Sequence, residues 1–182
     1  MINFEDISYL KTGNFRQKQA FGVLSENRIM ESLQEFDPIL VGTIPIRIDI
    51  EKSDLDIICY WTDRSLFVQI ITQLFADKLD FTIKNDEFQN CVTANFTIDP
   101  FEIEVFGQNV PVRMQMGYRH MIIENKILLK RGLVFREKII ELKKQGYKTE
   151  PAFALLLGLQ GNPYEELLKF ELPETTANSI IK

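Results

Sequence analysis

The sequence predicts an α+β protein, in which a mixed β-sheet is flanked by helices and followed by a helical C-terminal part. Two observations support this fold class. Short apolar runs with strand-like alternation lie between residues 39 and 114, whereas apolar residues recur at helical spacing in 14–36 and after 118. The chain shows neither a series of βαβ units nor a glycine-rich Rossmann or P-loop fingerprint, so a doubly wound nucleotide-binding fold is not indicated.

Size and charge set further limits. The chain has 182 residues, of which 45% are hydrophobic, and a formal net charge of −5 at pH 7. This length can bury a substantial core without disulfides or a structural metal. The negative charge argues against a protein that binds extended nucleic acid over its whole surface. We expect residues 1–117 to form the α+β core and residues 118–182 to form a helical extension packed on it, within one structural unit.

The N-terminal region is predicted to be helical over residues 14–36. Gly22 is expected to interrupt this segment, with Ser25 as the N-cap of a second helix. Pro38 ends the helical pattern, because the residue before a proline disfavours helical backbone angles. The apolar run 39–41 then reads as a short buried strand.

The central region predicts most of the sheet. Residues 44–50 alternate apolar and other side chains, which suggests extended chain. A strand follows at 54–61, and Thr62 is expected to cap a helix over about 63–77. Further strand-like runs, separated by turn-forming residues, cover 79–84, 91–98, 101–106 and 109–114.

The last third is predicted to be helical, with Gly132 and Gly146 between helices. The expected helices cover 118–131, 134–145, 149–158 and 163–170. The polar tail after Pro173 is expected to fray.

Other sequence features suggest a cytoplasmic protein with no membrane partner. Cys59 and Cys91 lie in apolar, strand-like stretches without metal-ligand spacing, so both are expected to be buried free thiols. The N-terminus has no basic and apolar signal sequence. The strongest apolar run, 153–159, is too short to span a bilayer.

The chemistry-bearing pattern centres on two aspartates. Asp54 and Asp56 project from one face of a strand, with their Cα atoms about 6.5–7 Å apart. A hard divalent cation would relieve the repulsion between two such carboxylates. Gly42-Thr43, separated from Asp54 by ten residues, ends the preceding strand, where backbone N–H groups and a hydroxyl could contact a phosphate.

A third carboxylate is expected from the strand at 101–106, where Glu102 and Glu104 are both candidates on one face. A site with three carboxylates can hold two metal ions for phosphoryl chemistry. Taken alone, each acidic pair is more often a solvated strand edge. The combination with Gly42-Thr43 is much more specific.

These residues resemble the signature of the DNA polymerase beta-type nucleotidyltransferase superfamily, which the chain matches at Gly42, Thr43, Asp54, Asp56 and Glu104. The whole chain is also similar to a family of short bacterial proteins of unknown function that are classed as nucleotidyltransferase-like. The segments that carry this closer likeness are Gly42-Thr43-Ile44-Pro45, Ser53-Asp54-Leu55-Asp56, Phe106-Gly107-Gln108 and Tyr118-Arg119-His120-Met121.

The resemblance implies transfer of a nucleotidyl group from a nucleoside triphosphate to an acceptor that the sequence does not identify. Asp54, Asp56 and Glu104 would be the catalytic residues and would hold Mg²⁺ or Mn²⁺, with Glu104 preferred to Glu102. The nucleotide would be bound by Gly42, Thr43, Ser53 and Arg47. The alternatives are a non-catalytic nucleotide-binding or interaction module with the same fold and a component of a toxin–antitoxin pair.

Two features of the C-terminal part have open roles. His120, the single histidine, could act as a base or ligand, or could be a structural partner of Glu124 one helical turn away. Residues 119–148 hold nine Lys or Arg and three acids, a net +6. This basic segment could recognise phosphates or be a solvated helical surface.

Overall fold

The computed structural model describes residues 2–170 and contains a five-stranded mixed sheet in the order β1-β2-β5-β4-β3. The strands are β1 (Ile39–Val41), β2 (Leu55–Tyr60), β3 (Leu79–Asp86), β4 (Cys91–Ile98) and β5 (Phe101–Gln108). Strands β2 and β5 are parallel neighbours, while the other adjacent pairs are antiparallel. The predicted α+β class with a mixed sheet is confirmed.

Helices cover both faces of this sheet. They are α1 (Phe15–Glu26), α2 (Ile29–Ser32), α3 (Arg64–Phe75), α4 (Met116–Lys144), α5 (Thr149–Leu157) and α6 (Pro163–Lys169). Three 3₁₀ turns complete the regular structure at Ile7–Thr12, Gln34–Phe36 and Val112–Met114. The predicted fraying of the tail after Pro173 lies outside the described residues.

The alternation along β2 and β5 separates two hydrophobic cores. Leu55, Ile57 and Cys59 face a first core that α1 and α3 complete. Ile58 faces a second core built with α4, α5 and α6. In the parallel register Ile57 is level with Val105 and Ile58 with Phe106, so the strands present matching faces. The C-terminal helices therefore cover the second face of the sheet.

The predicted break in the first helix is wrong. Helix α1 runs through Gly22 and Ser25, and the next helix begins only after Arg28, whose φ is 53°. A glycine inside a helix costs about 1 kcal/mol. Burial of Ala20 and Leu24 in the first core outweighs that cost.

The extended chain predicted at 44–50 is also wrong. Residues 43–47 form consecutive turns, in which Arg47 has a φ of 61°, and residues 48–50 have no regular structure. The alternation has a different origin, because Ile44 is buried in the first core while Ile46 and Ile48 are buried in the second. The segment passes between the two cores at the edge of the sheet.

Two smaller predictions are corrected at element ends. Asp63, not Thr62, caps α3, and its side chain accepts a hydrogen bond from the Leu66 N–H. The strand predicted at 109–114 is instead a 3₁₀ turn preceded by Pro111, which cannot donate to a strand ladder.

Other sequence expectations hold. At Gly132 the long helix α4 leaves helical geometry, with φ 78° and ψ −168°, at the position predicted to separate two helices. Cys59 and Cys91 are both buried free thiols. Within residues 2–170, no helix combines the length and apolar character needed to cross a bilayer.

Candidate functional site

A cleft of about 720 Å³ lies between the second face of the sheet and helices α4 and α5. One side, the sheet wall, consists of Gly42, Thr43, Ser53, Asp54, Asp56 and Glu104. The opposite side, the helical wall, consists of Gln115, His120, Glu124, Lys143 and Glu150. The two walls thus bring together segments that are far apart in the sequence.

The carboxylates of the sheet wall meet because β2 and β5 are parallel neighbours. Asp56 is directly level with Glu104 in the register, and Asp54 immediately precedes β2. Burial, followed by the charges of Asp54 and Glu104, raises the pKa of Asp56 to about 8. Burial and Asp54 also raise the pKa of Glu104. The three acids form one electrostatic unit.

Glu102, the other candidate third carboxylate, lies farther from this unit in the register. It is level with Thr97 and lines a separate hollow of about 250 Å³, together with Asp80. Glu102 does not line the main cleft, whereas Glu104 lines both the cleft and the hollow. The arrangement favours Glu104 as the partner of the two aspartates.

Gly42 is required by its close approach to Asp56. Its φ is 80°, and a Cβ placed on it would lie 2.2 Å from the Asp56 Oδ2 atom. A side chain would therefore collide with the carboxylate and strain the backbone. The sequence rationale for this glycine was access to a phosphate, but the structure adds a constraint from within the protein.

Thr43 and Ser53 line the cleft and also close the turns between them. The Thr43 Oγ1 hydroxyl donates to Ser53 Oγ at 3.2 Å, and the Ile50 N–H donates to the same Ser53 oxygen at 2.9 Å. We call residues 44–53 the spacer, because they link Gly42-Thr43 to Asp54.

Side chains from distant elements hold the spacer by its carbonyl groups. Gln17, which is almost fully buried, donates to the carbonyls of Ile44 and Pro45. The other side chains that donate hydrogen bonds to spacer carbonyls are Arg16 (to Glu51 and Ser53), Arg136 (to Ile46 and Arg47) and Lys143 (to Ile48). Two cations of the predicted basic segment, Arg136 and Lys143, thus bind protein backbone.

Arg47 does not occupy its predicted place in the nucleotide site. Its side chain is exposed, it is absent from the cleft lining, and its Nε donates to Gln17 Oε1 at 3.1 Å. The turn conformation of the spacer directs Arg47 away from the cleft. Lys52, Lys143 and Lys148 line the cleft instead.

His120 has two partners, neither of them the expected Glu124. Its Nε2 lies 2.8 Å from the Tyr164 carbonyl oxygen and its Nδ1 lies 3.5 Å from Glu150 Oε1. A carbonyl oxygen can only accept, so Nε2 carries the hydrogen. His120 therefore joins α4 to α6 by a hydrogen bond and lies beside Glu150 of α5.

The helical wall contains two buried oxygens that find no hydrogen-bond donor among residues 2–170. One is Glu124 Oε1, and the other is Gln115 Oε1. The Gln115 amide orientation is determined by its Nε2, which donates to the carbonyls of Cys59 and Val110, each at 2.8 Å. Burial, then the charge of Glu150, raises the pKa of Glu124 to about 8.

The sequence did not indicate Glu124, Gln115 or Glu150 as site residues, and it indicated Lys143 only as one of nine cations in the basic segment 119–148. These four residues are spread over two helices and follow no motif. The available signal was the presence of polar residues at positions where the helical period predicts a buried face.

The sheet wall offers suitable donors for a divalent cation. In the described part of the chain, no three His, Cys, Asp or Glu side chains are close enough to form a ready-made metal site. The chemistry nevertheless fits, because all three acids supply hard oxygen ligands and repel one another. Asp54, Asp56 and Glu104 are the residues that could hold such an ion.

A family model described as a domain of unknown function, DUF4269, matches residues 22–170. The chain belongs to this family. Comparison of the DUF4269 chain with curated protein sequences finds no match.

The fold resembles solved nucleotidyltransferases. The Cid1 poly(U) polymerase superposes with a TM-score of 0.55 at 13% identity, covering 71% of this chain and 41% of the polymerase. A cytoplasmic RNA terminal U-transferase gives 0.54 at 12%, covering 71% and 39%. The polymerase core of the TRAMP RNA surveillance complex gives 0.51 at 12%, covering 88% and 50%. At these identities the likeness establishes the fold, and the chain spans at most half the length of these proteins.

Proposed function

We propose that this protein transfers a nucleotidyl group from a nucleoside triphosphate to an acceptor hydroxyl, with a divalent cation. The observation that carries this proposal is the register of the parallel strands β2 and β5, which places Asp56 level with Glu104. Asp54 and Gly42-Thr43 line the same cleft. The fold shared with nucleotidyltransferases supports it.

Asp54 and Asp56 are assigned to metal and triphosphate positioning, and Glu104 to the side where the acceptor hydroxyl enters. When bound, Mg²⁺ or Mn²⁺ would neutralise phosphate charge and favour ionisation of the attacking hydroxyl. Thr43, Ser53 and the backbone after Gly42 are assigned to the phosphates. Lys52 and Lys148 add the positive charge that Arg47 does not bring to the cleft.

The proposed reaction is an in-line displacement. The acceptor oxygen forms a bond to the α-phosphorus, and the bond from that phosphorus to the oxygen bridging to the β-phosphate breaks. Pyrophosphate leaves with the bonding electrons, and the hydroxyl proton passes to a carboxylate or to water. Positioning and charge stabilisation supply most of the rate in such transfers.

The test uses nucleoside triphosphates labelled at the α- or the γ-phosphate, incubated with the protein, Mg²⁺ and a cell extract. We expect acceptor labelling from the α-label only. Asp54→Asn, Asp56→Asn and Glu104→Gln should each reduce it at least about 100-fold, because several kcal/mol of transition-state stabilisation depend on these ligands. Glu102→Gln is the matched control and should keep wild-type labelling.

Two outcomes would contradict the proposal. Equal labelling by the wild type and both aspartate variants would remove the catalytic assignment. Mg²⁺-dependent nucleotide binding without any transfer would favour the non-catalytic binding module.

A further inference from the structure

The helical wall carries two carboxyl groups, Glu124 and Glu150, that the proposed nucleotide site does not use. The carboxylates and lysines that line the whole cleft are Asp54, Asp56, Glu104, Glu124 and Glu150 against Lys52, Lys143 and Lys148. A nucleoside triphosphate with two divalent cations adds about no net charge to the cleft. Five carboxyl groups thus face three lysines, and the proposed nucleotide site uses only the three on the sheet wall. Burial raises the pKa of Glu124, and a cation bound beside it would favour its ionised form.

Neither glutamate forms an ion pair with a lysine or arginine in the described part of the chain, although the charge of Lys143 opposes the rise in the pKa of Glu124. Lys143 Nζ donates to the Ile48 carbonyl at 3.0 Å, and no ion pair within 4.0 Å joins it to Glu124 or Glu150. Glu150 has only His120, at 3.5 Å. A ligand cation at these carboxyl groups would not displace a lysine or an arginine.

The wall also lacks donors for its own buried oxygens. Glu124 is 3% exposed and Gln115 is 2% exposed, and each has an Oε1 atom without a donor among residues 2–170. Burying an unsatisfied oxygen costs free energy unless a ligand supplies the hydrogen bond. Both oxygens therefore favour a ligand rich in N–H and O–H groups.

The acidic pair lies close to the proposed reaction centre. Glu150, Glu124 and Asp56 line the same cleft, and the charge of Glu150 contributes to the raised pKa of both Asp56 and Glu124. A molecule held by Glu124 and Glu150 would present a neighbouring group to the sheet wall.

We propose that the helical wall binds the acceptor, and that the acceptor is an amino alcohol with a protonated amine close to the hydroxyl that is modified. This inference rests on the proposed nucleotidyl transfer. Glu124 and Glu150 bind the ammonium group, and Gln115 Oε1 accepts from a second N–H or O–H. An RNA acceptor would bring its phosphates against these carboxylates, which like-charge repulsion disfavours.

The test measures binding of 1,3-diamino-2-propanol, with glycerol as its uncharged analogue of similar size. The wild type is first loaded with Mg²⁺ and α,β-methylene-ATP, so that the sheet wall is occupied, and the two compounds are titrated by NMR. We expect the diamine to bind at least tenfold more tightly than glycerol. Glu124→Gln and Glu150→Gln should each weaken the diamine at least tenfold while leaving the affinity for the nucleotide analogue unchanged.

Glu141→Gln is the matched control, because Glu141 is exposed on α4 outside the cleft. It should bind the diamine like the wild type, and thermal unfolding verifies that each variant is folded. Unchanged diamine binding by Glu150→Gln would overturn the inference. So would binding of a short RNA oligonucleotide at this wall in place of the diamine.

Failure of the nucleotide proposal gives a different result. In that case α,β-methylene-ATP does not bind, and the diamine is titrated alone against Glu124→Gln, Glu150→Gln and Asp56→Asn. Loss of binding in the two glutamate variants only would support an amine site on the helical wall without transfer. Loss in Asp56→Asn only would overturn it.

Discussion

The two walls of the cleft differ in how the sequence encodes them. The sheet wall comes from one compact motif and one neighbouring strand. Its acidic residues therefore follow a pattern that can be recognised in the sequence. The helical wall comes from Gln115 to Glu150, over two helices whose polar residues are buried at irregular intervals. Motifs therefore reveal groups positioned by a short length of chain, whereas long-range packing assembles the rest of the site.

The largest expected effect is on the sheet wall, from Gly42→Ala. The new Cβ would lie 2.2 Å from Asp56 Oδ2 at a φ of 80°. We expect the free energy of unfolding to fall by at least about 3 kcal/mol, from backbone strain plus the collision. Urea denaturation of the purified variant measures this change.

Gly146→Ala measures the cost of backbone strain without the collision that Gly42→Ala also introduces. Its φ is 98°, but a Cβ there meets no atom within 4 Å, so the loss should be about 1 kcal/mol. In an Asp56→Ala background the cost of Gly42→Ala should fall to a similar value. Equal losses for Gly42→Ala and Gly146→Ala in the wild-type background would show that the contact with Asp56 does not matter.

On the helical wall, Glu124→Gln is expected to raise the free energy of unfolding, by less than Gly42→Ala lowers it. The folded-state pKa of Glu124 is raised from 4.5 to about 8, so its contribution to stability is fully present below pH 4.5 and is lost as the pH rises to 8. The glutamine variant does not ionise. In thermal unfolding at pH 8 it should be more stable than the wild type, and the difference should disappear at pH 4.5.

Adding Mg²⁺ should distinguish the walls in the same thermal-unfolding experiment. The wild type and Glu124→Gln should both be stabilised by Mg²⁺, whereas Asp56→Asn should not be, because ligands that bind the folded state raise its stability. Equal stabilisation of Asp56→Asn would place the cation outside the sheet wall.

The smallest expected effect comes from Arg47, which was predicted to bind the nucleotide but does not line the cleft. Arg47→Ala removes one hydrogen bond to Gln17 at an exposed side chain. Unfolding free energy should change by less than about 0.5 kcal/mol, and the Mg²⁺-nucleotide affinity by less than twofold. Lys52→Ala, from the cleft lining, should weaken that affinity about tenfold; a larger loss in Arg47→Ala than in Lys52→Ala would contradict the cleft geometry.

The sequence allowed prediction of the fold class and of where the strands at 54–61, 91–98 and 101–106 lie along the chain, because their apolar residues alternate regularly. The five residues that carry the superfamily resemblance, Gly42, Thr43, Asp54, Asp56 and Glu104, line one cleft, and their roles stay predictions. Periodicity misled at 44–50, where alternate residues are buried in two different cores rather than on two faces of a strand. It could not show the donors to the spacer carbonyls, since Gln17, Arg136 and Lys143 reach them across 27 to 95 residues.

These donors also determine where the chain can be cut or extended. Surface loops usually tolerate insertions because their backbone groups are bonded only to water. The carbonyls of the spacer are instead held by side chains from α1 and α4, so a peptide inserted at Arg47 would detach both helices from it. The hairpin between β3 and β4, where Phe88 is 98% exposed, is the better place for an affinity tag or a fluorescent label.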